Sequence, residues 1–381
     1  MEASEIGPFA ARYHVQRNSL HHRRDGLPRL RLLLEALGKG YSAHVVARSQ
    51  SKVEVVKELV ANHGFSNEAV EGKPYCKYFI VPDLTLPGAL DDAVRGANYV
   101  VHCASPLPFA EIPAERQQAE MIDPAVACTL NMLESVRGVG GPTVRRVVVL
   151  TSLIAFASAE AGREVVLNEG TLNDYITPPF PNLLVAYCAA KTAALRSSMD
   201  WMSSKAAAGA EPLGFDLVNL GPAYVVGRHP LARTPADLMG TSNSMPLTVV
   251  AGRAADPQLP LSVGGAVHMD DLTTIFLESL DPAGKVRTPT SGPSRGVTNF
   301  AISVNVEWND ARRLVAAKWP AHAESGLLPN QGDRPTKPRI VIDSRKTEET
   351  FGIKLRGLEE MVEAIVPQYV ELLQKEKDES H

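Results

Sequence analysis

Short apolar runs recur along the chain at residues 44–47, 78–81, 98–104, 147–150, 216–220 and 299–304. Runs of this length, rich in Val, Ile, Tyr and Phe, predict buried β-strands. Between them lie stretches with helical spacing. Residues 30–37 are helical in composition and stop at Gly38, Lys39 and Gly40. Residues 53–62 place Val53, Val56, Leu59 and Val60 on one face, and residues 125–136 do the same with Leu130, Leu133 and Val136. A short helix is expected over residues 89–94. Alternating strand and helix of this kind predicts an α/β fold built on a doubly wound parallel sheet. Ligands of such sheets bind outside the carboxyl ends of the strands. Arg48, Asp83, Ser105 and Ser152 each fall at or just past a predicted strand end.

The remainder is less regular. Residues 1–26 contain no convincing strand and read as an atypical, poorly ordered terminus. The segment after Ser152 is polar and contains Pro178, Pro179 and Pro181. Residues 228–265 read as loops and short helices over the sheet's edge, a place suited to covering a substrate. Residues 266–280 read as one helix, with Asp270 or Asp271 in its first turn. Residues 306–319 and 358–373 are further helices, the last with a clean apolar stripe.

Composition narrows the function classes. The chain has 381 residues, 44% hydrophobic and 22% charged, as in an ordinary globular protein. A net charge of -4 argues against nucleic acid as the main partner. No apolar run is long enough to span a bilayer, so no membrane is expected either. The N-terminus lacks the order of a secretory signal. Arg12, Arg17, Arg23 and Arg24 make it basic, but Glu2, Glu5 and Asp25 count against a transit peptide. Cys76, Cys103, Cys128 and Cys188 have no metal-ligand spacing and read as reduced thiols of a cytoplasmic protein. No metal site is expected: His268 beside Asp270 and Asp271 reads as a helix cap, and His102 as a hydrogen-bonded structural residue. Trp201, Trp308 and Trp319 read as packing residues.

The chemistry-bearing pair is Tyr187 and Lys191. They stand four residues apart in a stretch continuing Thr192, Ala193, Ala194, Leu195, which favours helix. Positions i and i+4 share a helix face. A free phenol, with a pKa near ~10, is a reluctant acid at neutral pH. A neighbouring ammonium stabilises the phenolate and makes the phenol a usable proton donor.

These pieces together resemble the extended short-chain dehydrogenase/reductases, specifically the dihydroflavonol-4-reductase-like ketone and aldehyde reductases. Residues 35–41 resemble the end of that family's first helix. Arg48, Ser49 and Lys52 resemble its basic site for the ribose 2′-phosphate of NADPH. Asp83 and Leu84 resemble the adenine-side pair. His102, Cys103, Ala104, Ser105 and Pro106 resemble the turn beside the cofactor. Asn131 to Glu134 and Leu150, Thr151, Ser152 follow in family order. Tyr187 and Lys191 resemble the catalytic pair, and Pro222 to Val225 the loop at the nicotinamide amide. The resemblance implies a Rossmann-type cofactor-binding domain over residues 27–227, its sheet continuing into later segments. Residues 228–381 would then be mainly a substrate-binding region with C-terminal helices. It also implies NADPH as cofactor and a small or medium hydrophobic carbonyl metabolite, with secondary metabolism as its setting, as substrate. Tyr187 would donate the proton, Lys191 would lower its pKa and bind the ribose, and a serine would hold the carbonyl oxygen.

Two departures stand out. A Gly-x-x-Gly-x-x-Gly turn is expected at about residues 18–30, where only Gly26 is present. Either the first strand is lost or the sequence is altered at this end. The family's catalytic serine falls on Leu153, leaving Ser152 or Thr151 as substitutes. A catalytically impaired or non-redox ligand-binding relative is therefore the alternative reading, and a nucleotide-sugar epimerase or dehydratase the third.

Overall fold

The computed structural model of the chain describes residues 9–12, 27–106, 112–141, 143–156, 165–172, 177–207, 213–253, 264–292, 294–336 and 340–379. Its strands are β1 Phe9–Arg12, β2 Ala43–Ala47, β3 Cys76–Ile80, β4 Tyr99–His102, β5 Arg146–Leu150, β6 Val165–Leu167, β7 Asp216–Pro222, β8 Tyr224–Val226, β9 Gly265–His268, β10 Val297–Ile302, β11 Val304–Asn305 and β12 Ile340–Ile342. Its helices are α1 Leu27–Gly38, α2 Gln50–Asn62, α3 Asp91–Val94, α4 Asp123–Ser135, α5 Leu183–Ala207, α6 Pro235–Met239, α7 Ser244–Val250, α8 Met269–Glu278, α9 Asp310–Lys318, α10 Pro320–Glu324, α11 Arg345–Phe351 and α12 Leu358–Glu379.

Seven strands form one sheet in the order β10-β7-β5-β4-β1-β2-β3, every neighbouring pair parallel. The strand order reverses on either side of β1, so the topological switch point lies between β1 and β4. This is a Rossmann-type α/β fold. Alternation along each strand explains why the runs are apolar throughout. Val45, Val101, Val148 and Val218 face one layer with α1, α2 and α8. Val46, Val100, Val147 and Leu217 face the other, with α3, α4 and part of α5. A parallel strand covered on both faces must be hydrophobic at every position.

The amino ends of β5 and β7 are fastened by one buried cation. Arg146 is 1% exposed. Its Nε and Nη2 grip the Asp216 carboxylate at 2.6 Å each. Its remaining donors reach the carbonyls of Ser279, Asp281 and Val286. Paired and fully bonded, this charge anchors the bottom of the sheet and leaves the carboxyl end for ligands.

The structure departs from the sequence reading in three places. Residues 1–26 do hold a strand: β1 pairs Phe9 with Ala43 on one side and Tyr99 on the other. Its sequence, Phe-Ala-Ala-Arg, has too little β-branched content to announce itself, and its place in the sheet comes from two neighbours. Residues 266–268 belong to strand β9, which pairs with β8 and β11, and the helix starts only at Met269. His268 caps that helix, its Nδ1 accepting from the Asp270 backbone at 3.1 Å. The helix expected over residues 306–319 begins later, at Asp310. The stretch after Ser152 forms a short 3-10 turn, Leu153–Phe156, and the edge strand β6, which pairs with β12.

A separate apolar cluster joins β8, β9, α6, α7, α9 and α12 around the fully buried Trp308. No helix among the described residues is long and apolar enough to cross a membrane.

Candidate active site

Helix α5 has no single apolar face, and within residues 183–205 only Leu184, Asp200 and Ser204 are exposed, which suits a helix packed within the protein. Ala186, Ala189 and Ala190 are fully buried against Met121, Ile122 and Ala125. Such small residues let α5 approach the α4 layer closely. That position carries Tyr187 and Lys191 to the carboxyl ends of β4 and β5. The Lys191 Nζ lies 5.7 Å from the centre of the Tyr187 ring. Tyr187 is half-buried, whereas Lys191 is only 7% exposed.

The surroundings of Lys191 are cationic and neutral. Burial pulls its pKa down from 10.5 to about 8, and the Arg29 guanidinium adds to the effect. Arg29 sits in the first turn of α1, itself buried, and its Nη2 donates to the Cys103 carbonyl at 2.7 Å. The contact ties α1 to the end of β4, directly across the switch point. The Cys103 thiol is pushed up to about 11 by burial, as is that of Cys188, so neither is a thiolate at neutral pH. None of the four cysteines is in a disulfide.

A small cavity of about 20 Å³ opens beside Lys191, walled by His102, Ala104, Ser105, Thr129 and Thr151 among others. Ser152, the hydroxyl assigned to the site from sequence, is not on its walls; Thr151 is. The backbone at Thr151 still donates to Leu220 on β7 at 2.9 Å, so strand alternation holds there and turns the two side chains apart. Leu153, at the position of the family serine, is 3% exposed and packs with Phe156, Leu195, Ala301 and Ile342. No hydroxyl at residue 153 is missed by its neighbours, which are apolar.

The other predicted positions sit along the same sheet edge. Arg48 follows β2, and Lys52 lies in the first turn of α2, both half-buried. Asp83 accepts from the Thr85 backbone and hydroxyl at 2.8 and 2.7 Å. Those bonds, with Arg48 nearby, hold its carboxyl below the usual range. Leu84 is buried, and Asn131 from α4 donates to the Leu84 and Thr85 carbonyls, fixing this turn. Pro222 ends β7, and Val225 on β8 is held by Ser242, which donates to its carbonyl at 2.5 Å. Of the glycine turn expected at about residues 18–30, residues 18–26 lie outside the described residues, and residues 27–30 open α1.

Sequence reading missed Thr129 and the link from Arg29 to Cys103. Thr129 donates to the Ala125 carbonyl at 3.0 Å and stands 3.5 Å from His102 Nε2. Neither residue belongs to a contiguous motif; only the packing of α1 and α4 against β4 brings them in.

No family model matches the chain. Ketoreductase CTB6 of Cercospora nicotianae is 32% identical over 362 residues, covering 92% of this chain and 93% of that protein. The chain belongs to the extended short-chain dehydrogenase/reductases. Within that superfamily its relatives include proteins named ketoreductase and NAD-dependent epimerase/dehydratase, and its structural neighbours are of the dihydroflavonol-4-reductase-like branch. NAD-dependent epimerase/dehydratase ALT6 of Alternaria alternata is 29% identical over 344 residues, 87% of this chain and 91% of that one. Among solved structures, yeast methylglyoxal/isovaleraldehyde reductase Gre2 complexed with NADPH superposes with a TM-score of 0.71 at 19% identity, covering 97% and 99% of the two chains. Vestitone reductase from alfalfa gives 0.63 at 18%, again over 97% and 99%. At these identities the two structures establish the shared reductase fold, and CTB6 establishes the family.

Proposed function

We propose that this short-chain dehydrogenase/reductase is an NADPH-dependent reductase of ketones or aldehydes on small or medium hydrophobic metabolites. The observation that carries the reading is Lys191: a buried cation one helical turn from Tyr187, at the carboxyl ends of β4 and β5 beside the switch point. Ketoreductase names among the relatives favour hydride transfer over the non-redox alternative.

The residues present fit a phosphorylated dinucleotide. Arg48 and Lys52 supply two cations after β2 for a 2′-phosphate, with no carboxylate between them. In this reading Asp83, Leu84 and Ala104 would contact the dinucleotide between there and the Tyr187 helix, with Pro222 and Val225 beyond it. Two buried hydroxyls beside Lys191, on Ser105 and Thr151, are without a hydrogen-bond partner among the described residues. When bound, NADPH supplies the hydride. Tyr187 donates a proton to the substrate oxygen as charge develops there. Lys191, held in its charged form, offsets the negative charge left on the phenolate. Residues 228–265, of which 254–263 lie outside the described residues, are the segment assigned to substrate choice, with the capping box of Thr234 and Asp237 starting α6. The proposed location is the cytoplasm.

The test is NADPH consumption by the full-length chain on adding simple ketones and aldehydes. Activity that vanishes in Tyr187→Phe while NADPH binding persists supports the assignment. Full activity in that variant overturns it.

A further inference from the structure

The cavity beside Lys191 has the volume of about one water molecule, so it is too small for any part of a dinucleotide or substrate. Five polar residues wall it: His102, Ser105, Thr129, Thr151 and Lys191. Ser105 and Thr151 are each 7% exposed, and their hydroxyl oxygens are shielded from solvent with no hydrogen-bond partner among the described residues. Leaving a hydroxyl buried and unpaired costs roughly 1–3 kcal/mol, and here two of them face one small space.

The ammonium has a matching need. The charged and titratable groups that reach it are Arg29 from α1, His102 and Cys103 from the end of β4, and Tyr187 from α5. Among the described residues none of these is an anion at neutral pH. Arg29 repels the charge, and the Cys103 thiol stays protonated. Among the described residues no carboxylate pairs with Lys191, which leaves neutral oxygens as the partners for its protons. The walls of the cavity provide them.

We propose that Ser105 and Thr151 are positioning residues for Lys191, their hydroxyl oxygens holding its ammonium through one shared water in the cavity. They act on Tyr187 only through Lys191: the better the ammonium is held, the wider the pH range over which it stays charged beside the phenol. In this chain the hydroxyl in the Thr151–Ser152–Leu153 segment that matters therefore stands at Thr151, and it serves the lysine rather than the substrate oxygen. The catalytic consequence rests on the proposed reductase function; the effect on Lys191 does not.

The experiment reads Lys191 itself. Protein carrying 13C at the lysine ε-carbon is titrated without NADPH, with Lys191→Met used to assign the resonance. Ser105→Ala, Thr151→Val and the double variant are compared with the wild type and with Thr151→Ser, which keeps a hydroxyl. The expected result is a Lys191 midpoint lowered by about one pH unit in Thr151→Val, a tenfold weaker hold on the proton. The double variant should fall further, and Thr151→Ser should stay near the wild type. The alkaline limb of kcat should move down in parallel. A uniform loss of kcat with an unmoved limb would mean a merely structural role and overturn the proposal. So would an unchanged midpoint in both single variants. If Thr151→Val fails to fold, Ser105→Ala alone decides, because it must lower the midpoint. A shifted midpoint in a chain that reduces no carbonyl leaves this proposal standing and removes the proposed function instead.

Discussion

Two walls enclose the same crevice, and they are built in opposite ways. The α5 wall presents Tyr187 and Lys191 from one continuous helix, their spacing fixed by the chain itself. The β1–α1 wall presents Arg29, placed by β1 pairing with β2 and β4 and by a bond to a carbonyl 74 residues away. One wall carries its chemistry as a motif and the other carries it as a contact. The difference teaches that a missing motif is not a missing wall: the first strand is present, and a guanidinium stands at the switch point.

Breaking the α5 wall should have the largest effect. Lys191→Met should lower kcat by roughly 100- to 10,000-fold, the range for losing an acid–base group. It should also stabilise the protein. Lys191 releases its proton at about 8 folded against 10.5 unfolded, so burying the charge costs stability below pH 8. That cost fades as pH rises from about 8 towards 10.5. Removing the charge should therefore raise neutral-pH stability by on the order of 2–3 kcal/mol, measured by denaturant unfolding, with the gain shrinking at high pH. A variant that is inactive and less stable at pH 7 would break the electrostatic account of this wall.

Changing the far end of the crevice should alter cofactor choice. With Arg48 and Lys52 both replaced by Glu, NADPH binding should weaken roughly 100-fold, while NADH binding changes little, as measured by titration of cofactor fluorescence. Equal losses for both cofactors would place the 2′-phosphate elsewhere.

Arg29→Leu tests the other wall directly. Its loss leaves the Cys103 carbonyl without that donor, a cost of roughly 1–3 kcal/mol. It also removes a repelling cation, so the Lys191 pKa should rise and the alkaline limb of kcat should move up. This is opposite in sign to the shift expected for Thr151→Val. A limb that stays in place would separate the two walls electrically.

The smallest kinetic effect is expected at Leu153. Leu153→Ser puts a hydroxyl among Phe156, Leu195 and Ile342 and should cost about 2–4 kcal/mol of stability without raising the rate. A gain in kcat would show that this strand end can still present a serine.

Much of this was legible in the chain. The parallel sheet followed from apolar runs that needed no alternation, and α5 followed from its spacing and composition. β1 was not legible, because Phe9, Ala10, Ala11 and Arg12 lack the β-branched signal and are strand only through their neighbours. β9 was read as helix because Ala266 and Val267 abut Met269, Asp270 and Asp271 without a turn residue between. The sequence left the hydroxyl open between Ser152 and Thr151; of the two, Thr151 lines the cavity beside Lys191. Sequence order could not say where strand geometry ends and turning begins; the bond from Thr151 to Leu220 does. Thr129 and Arg29 carry no local signal at all, since their roles come from packing against β4.

The measurement closest to the central claim is NADPH consumption by the full-length chain with a ketone, run beside Tyr187→Phe and with NADPH binding followed separately. The account predicts ketone-dependent turnover in the wild type, and loss of turnover with retained binding in the variant. A wild-type chain that binds no NADPH, or a variant that turns over as fast as the wild type, would contradict it.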